Sequence, residues 1–310
     1  DWSEYSPSWS YRLSSPPSNR VVEMLDRLVQ LRDVAHIDTF LETIGAAGNL
    51  DEGNNEALVQ AAGLLPVTRA VDSMERIVAA NAAAHPRACA HLLRLCSEAG
   101  WLDGHPEQIM DAAHTLVEAL PGDPKRTSEI SSWRLGNELN AGLIRNLLGA
   151  VVRIDTGLTT RTVDYLLAWP GQYDLDRVIL PALLTLREQP AMGESAVVQR
   201  LSRVCIAHLQ ARIAEPLAPP QDWARAARLS CSCADCKDLS QFLADPAQQT
   251  WIFKAAEARR GHLAHSVRRD QCDLDLHTER VGSPHRLVCT KNQASYQRRA
   301  EQREQDLRHL

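Results

Sequence analysis

Cys231, Cys233 and Cys236 fall within six residues, and His262 follows 26 positions after the last of them. Thiolate sulfur and imidazole nitrogen together suit Zn²⁺, a borderline-soft ion that takes four donors in a tetrahedron. The spacing predicts a zinc centre held by Cys231, Cys233, Cys236 and His262. Cys289, Cys272 and His265 compete with His262 for the fourth place, although packing within a strand pair is the preferred reading for Cys272 and Cys289. Three ligands of this kind must lose protons, so binding is expected to depend on pH and to yield to chelators.

A second constellation lies close by. Asp273, Asp275, His277 and Glu279 alternate along the sequence and would share one face of a strand. Such a face could hold a metal or do acid–base chemistry, but a solvated strand face has the same letters and is preferred. Residues 251–310 carry 12 Lys and Arg against 8 Asp and Glu, leaving the first 250 residues at −9 in a chain of net charge −5. This basic end permits an anionic partner without demanding one, with Arg259, Arg260, Arg280 and Lys291 as candidate phosphate contacts. The chain has no phosphate-cradling GxxxxGK[ST], no GxGxxG and no GxSxG nucleophile elbow. Nothing names a reaction.

These residues need elements to position them. From Arg20 to about Ala214 apolar positions recur with helical spacing, broken by short turns rich in Gly and Pro. Helices are expected near 20–31, 37–45, 54–64, 67–84, 86–99, 106–119, 128–154, 158–168, 174–188 and 194–214. Asn19 is positioned to cap the first, and Thr159 or Thr160 the one after Gly157; Pro181 should kink or split its own. Helices of this length on short connections pack as antiparallel neighbours. No repeat period is found, so the array is read as HEAT-like or irregular.

The predicted division is an extended aromatic, Ser- and Pro-rich arm over 1–19, a helical array over 20–222, and a zinc-stapled α+β module over 223–310. The module opens with a short helix at Trp223–Arg228. Trp251, Phe253, Ala255 and Ala256 lead into a helix carrying His262. One β-hairpin follows, with strands around 273–279 and 286–291, and then a charged final helix over 293–308. The predicted fold is mainly α. A module this small needs a staple, which the metal supplies.

Eight cysteines in 310 residues do not make a disulfide framework, and their concentration at one end suggests metal chemistry in a reducing compartment. No run approaches a membrane span, and there is no signal peptide. A cytoplasmic or nuclear location with no membrane partner is expected. The chain does not begin with Met and is read as part of a longer protein.

The order CxCxxC, Phe242-Leu243 with Asp245-Pro246, Arg259-Arg260 with His262-Leu263, Thr278-Glu-Arg280, Gly282-Ser-Pro284 and Leu287–Lys291 carries a resemblance. It is similar to the C-terminal region of large proteins of uncharacterised function, some with an upstream 2-oxoglutarate/Fe(II) oxygenase domain. The CxC element also resembles SWIM zinc modules, which bind DNA or protein, but lacks their Cys-x-His ending. The helical array and the zinc module are read as a zinc-containing interaction or scaffold protein with a protein partner. DNA or RNA binding through the basic module, or service as the regulatory end of an oxygenase-type enzyme, are the alternatives.

Overall fold

The computed structural model describes residues 18–123, 137–226 and 228–310. The chain divides into two compact units at Cys205/Ile206. The expected arm falls outside the described residues except at its end, where helix α1 already begins at Ser18 instead of Arg20.

The first unit is helical: α1 Ser18–Leu31, α2 Val34–Ala47, α3 Asn55–Ala62, α4 Val67–Asn81, α5 Pro86–Glu98, α6 Met110–Ala119, α7 Ala141–Ile154, α8 Thr156–Ala168 and α9 Leu180–Arg187. The next helix, α10 Ala196–Ala214, runs across the division. Local chemistry sets these boundaries. The Asp33 carboxylate accepts from the backbone N–H of His36 at the start of α2, and Gly48 ends that helix at φ +62°, where a side chain would be strained. Pro86 stands in the first turn of α5, where no N–H is needed.

Two internal boundaries differ from the sequence expectation, and a third agrees with it. The helix expected over 128–154 is broken at Leu139–Asn140, because the Asn140 side chain accepts from the Leu143 N–H and starts α7 afresh. Residues 128–136 lie outside the described part. Asp155, rather than Thr159 or Thr160, caps α8 by accepting from the Leu158 N–H at 2.5 Å. The helix expected over 174–188 does split at Pro181, into a π-helical turn over Leu175–Ile179 and α9, which has the proline in its first turn.

Within this unit each early helix packs on the second one along: α1 on α3, α2 on α4, α3 on α5 and α4 on α6, while α5 lies along α7. Apolar stripes meet between them, with Leu25, Leu41, Leu58, Met74, Ile77, Leu92, Leu93 and Leu147 fully buried. Each such side chain contributes about 1.5–3 kcal/mol of transfer free energy.

The second unit adds α11 Ala234–Ala244, β1 Thr250–Lys254, α12 Glu257–Arg269, β2 Leu274–Glu279, β3 Arg286–Lys291 and α13 Ala294–His309. The single hairpin predicted from sequence is one half of a three-stranded antiparallel sheet in the order β1-β3-β2. Strand β1, TWIFK, has the period-two pattern expected only after residue 270, with Phe253 buried and Ile252 outward. Register brings Trp251 and Leu276 opposite Cys289, and Phe253 and Thr278 opposite Leu287. The inner face thus made packs on Leu239, Phe242 and Leu243 of α11 and Leu263 and Val267 of α12. Trp251 stacks on Phe242 at 5.7 Å.

No helix forms over 223–226. Trp223 and Arg225 instead donate their backbone N–H groups to the Pro246 and Leu243 carbonyls, so the segment pairs with the end of α11 as extended chain. The division between units falls 17 positions before the expected boundary at 222/223. The last turns of α10 belong with the second unit, where Arg212 meets Asp306 of α13.

Candidate metal centre

Cys231, Cys233, Cys236 and His262 converge. Their four ligand atoms all lie within 4.8 Å of one another, and each of the three sulfurs is 3.4 Å from Nε2 of His262. A single ring N–H points at one acceptor, so hydrogen bonding does not account for three equal distances. A central ion does. With zinc–sulfur and zinc–nitrogen bonds of about 2.3 and 2.05 Å, a tetrahedron places sulfur and nitrogen about 3.6 Å apart.

Local structure delivers the ligands. Cys233 is the residue before α11, in an extended conformation, so the chain turns there and Cys236 falls in the first helical turn. A helix N-terminus carries partial positive charge and favours thiolate. His262 stands on the second turn of α12, which packs on α11. Cys236 is buried and Cys233 exposed, so the centre has one wall in the core and one toward water.

The thiols differ electrostatically. The backbone N–H of Cys233, then its side chain, hold Cys231 below the usual thiol range, with Arg269 adding a favourable charge. Burial pushes the Cys236 thiol up to about 12. Without a metal, Cys231 gives up its proton more readily than Cys236, whose proton a divalent cation would displace.

Supporting residues surround the ligands. Asp235, inside the CxxC turn, is held by both ends of the Arg259 guanidinium, which also lies over the Phe253 ring. Ser266, one turn after His262, accepts from Cys236 Sγ at 3.7 Å. Asp270 accepts from the Ser230 N–H at 2.8 Å and the Ser230 hydroxyl at 2.6 Å, fixing the chain immediately before Cys231 to the end of α12. Its carboxyl sits well below the usual range because Arg269 and Ser230 bond the ionised form. Sequence reasoning missed these three. Ser266 was the most legible, being four residues from His262 on the same helical face.

The other candidates separate from the centre. Cys289 is buried on β3 with its thiol pushed up to about 12, and Cys272 packs against the same core. Neither they nor His265 belong to the four-residue group. The acidic strand is not a uniform solvated face. Asp273 is buried and accepts from the Ser295 N–H and hydroxyl at the start of α13, whereas Asp275 and His277 are exposed. The nucleic-acid set is largely committed to the fold. Lys291 is 2% exposed, donates to the Asp245 carbonyl at 2.6 Å and lies 4.5 Å from the Phe242 ring centre. Arg260 is buried and Arg259 is paired with Asp235, so of the four only Arg280 is exposed without an ion-pair partner among the described residues.

Comparison of the chain with protein-family models, with curated proteins and with solved structures returns no match. Fold and site define a mainly helical protein whose C-terminal unit brings together a Cys3His group that could hold a metal ion. Among the described residues no helix is long and apolar enough to cross a membrane.

Proposed function

We propose that the C-terminal unit is a zinc-stapled module and that the chain is an interaction or scaffold protein rather than an enzyme. The observation that supports this most is the equal 3.4 Å spacing of three cysteine sulfurs around one histidine nitrogen. Four protein donors close a tetrahedron, and a closed shell leaves no position for the water that a catalytic zinc activates. The staple sits where stability is needed. It joins α11 to α12 beside a small core of Leu239, Phe242, Leu243, Phe253, Leu263 and Leu287.

The alternate-helix packing of the first unit supports the HEAT-like reading, because stacked helix pairs expose long surfaces suited to a protein partner. Membership of the larger proteins carrying an upstream oxygenase domain belongs to the same proposal and rests on the motif order alone. Nucleic-acid binding is the weaker reading, since Lys291 is enclosed and Arg259 is neutralised by Asp235.

The deciding experiment is metal analysis with X-ray absorption at the zinc edge on protein purified without added metal. One zinc with three sulfurs and one nitrogen supports the staple. A bound water, or two sulfurs, moves the centre toward catalysis. No metal overturns the reading.

A further inference from the structure

A cleft of about 430 Å³ opens between α12 and the β2–β3 turn, away from the cysteines. Its polar walls are Glu257, Arg260, Thr278, Arg280 and His285. The volume falls in the range of small-molecule pockets, about 300–1,000 Å³. Beside Gly261 the helix leaves open space: a Cβ there would meet nothing within 4 Å.

Arg260 makes this cleft more than a surface dent. It is 9% exposed, and among the described residues its one side-chain hydrogen bond is from Nε to the Ala255 carbonyl at 3.0 Å. Among the described residues it has no carboxylate within ion-pair distance. The other buried cations in this unit are bonded on more sides, although Arg225 keeps Nη2 buried without a hydrogen-bond partner among the described residues. Arg225 donates to three carbonyls and lies over Trp223, and Lys291 has both the Asp245 carbonyl and the Phe242 ring. The terminal nitrogens of Arg260 are not sealed in protein but open to the cleft, so the largely buried guanidinium presents its remaining donors to whatever enters.

The groups facing it favour such an anion. Arg280 is exposed and unpaired among the described residues, and follows β2 directly into the cleft wall. His285 has Nδ1 3.0 Å from the Gly282 carbonyl, which only accepts, so Nδ1 carries the proton and Nε2, the acceptor of a neutral ring, suits a ligand hydroxyl beside the anionic group. Glu257 is the opposing charge. It suits a hydroxyl or amine beside the anionic group and repels a polyanion.

We infer that this cleft binds a small organic anion, its phosphate or carboxylate group held by the Arg260 and Arg280 guanidiniums. Arginine forks match the oxygen spacing of both groups. A polymer backbone cannot reach Arg260 as a surface contact, whereas a small ligand can enter. The site is separate from the metal centre and goes beyond the staple.

The test titrates the protein as purified with inorganic phosphate and, separately, with succinate. Ionic strength is held constant with chloride, and arginine Nε–H signals are followed by NMR. The Arg260 and Arg280 signals should move together and saturate with at least one anion. Arg280→Met should weaken that binding about tenfold or more without moving the thermal midpoint. Arg260→Lys, which keeps the charge and loses the fork, should weaken it as well. Saturation by phosphate alone assigns a phosphorylated ligand; saturation by succinate alone assigns a carboxylated one. Movement no greater than with chloride, or wild-type binding in both variants, overturns the inference. So does much tighter, steeply salt-dependent binding of single-stranded DNA at the same arginines.

Discussion

Arg259 reaches Asp235 from 24 residues away: Nε–H donates to one carboxylate oxygen at 2.9 Å, and the outer nitrogen bonds the other. The pair ties the CxxC turn to the helix that carries His262. The Arg259 side chain is 59% exposed, so as a surface ion pair it adds little to stability. Its larger effect is on where Cys233 and Cys236 stand. Arg259→Met should therefore leave the thermal midpoint nearly unchanged while lowering zinc affinity about tenfold in chelator competition. Equal affinity in the variant would mean the turn is fixed by α11 alone.

Cys233→Ser separates ligation from packing. Cys233 is exposed, whereas Cys236 is 1% exposed and is part of the core. Loss of one thiolate from a four-donor shell should release the metal to a chelator and lower the unfolding midpoint of the second unit. Leucines of the first unit keep their contacts, so its unfolding should not move. Circular dichroism with and without chelator reads both effects. A Cys233→Ser protein that retains stoichiometric metal would remove this residue from the shell.

How far the sequence carried depended on the range of the interactions. Cys231, Cys233, Cys236 and His262 could be grouped because three are adjacent and the fourth lies on the next strongly helical segment. Helix boundaries set by local caps, such as Pro86, were legible for the same reason. Strand β1 was not. TWIFK is five residues long, and its strand character comes from pairing with β3 some forty positions later. The roles of Lys291 and Asp273 were equally hidden. A charged letter reads as exposed until the fold supplies the Asp245 carbonyl or the Ser295 hydroxyl. Trp223–Arg228 had a helical pattern, but two backbone bonds to the end of α11 outweighed it.

Proton release should follow the opposed states of the thiols. In the metal-free fold Cys236 holds its proton because burial raises it to about 12, and Cys231 is held below the usual range. Binding should then release about two to three protons per zinc near neutral pH. The sign follows. Metal-bound thiolates have pKa values below those of the unfolded chain, near 8.5, so their stabilisation is complete above that value and is lost as pH falls. Zinc affinity should drop with acidification. Calorimetry in two buffers of different ionisation enthalpy gives the proton count, and a count near zero would contradict the thiol assignment.

Asn81 tests the first unit independently of any metal. It is fully buried; its Oδ1 accepts from the Leu50 N–H and its Nδ2 donates to the Ile77 carbonyl, both at 2.8 Å. Asn81→Leu is close in size but leaves the Leu50 N–H buried without a partner. The expected loss is about 1–3 kcal/mol in urea unfolding of the first unit, with metal content unchanged. A neutral substitution would show that water reaches Leu50.

Asp306 sets the stability of the other end. It is 1% exposed, and both of its oxygens accept from Arg212, each at 2.6 Å, while Gln302 donates to one of them at 2.9 Å. The Arg212 side chain is 28% exposed, so the pair is only partly screened. Asp306→Asn keeps the shape but turns an acceptor into an amine facing the guanidinium, stranding a half-buried cation. Removing one partner of such a pair costs about 3 kcal/mol. The double variant Arg212→Met with Asp306→Leu removes both charges and should recover much of that loss, because the desolvation penalty goes with them. Urea unfolding of the second unit, followed through Trp223 and Trp251, measures all three proteins. If the single and double variants are equally destabilised, packing between the end of α10 and α13 dominates; if neither is, the ion pair is ornamental to the fold.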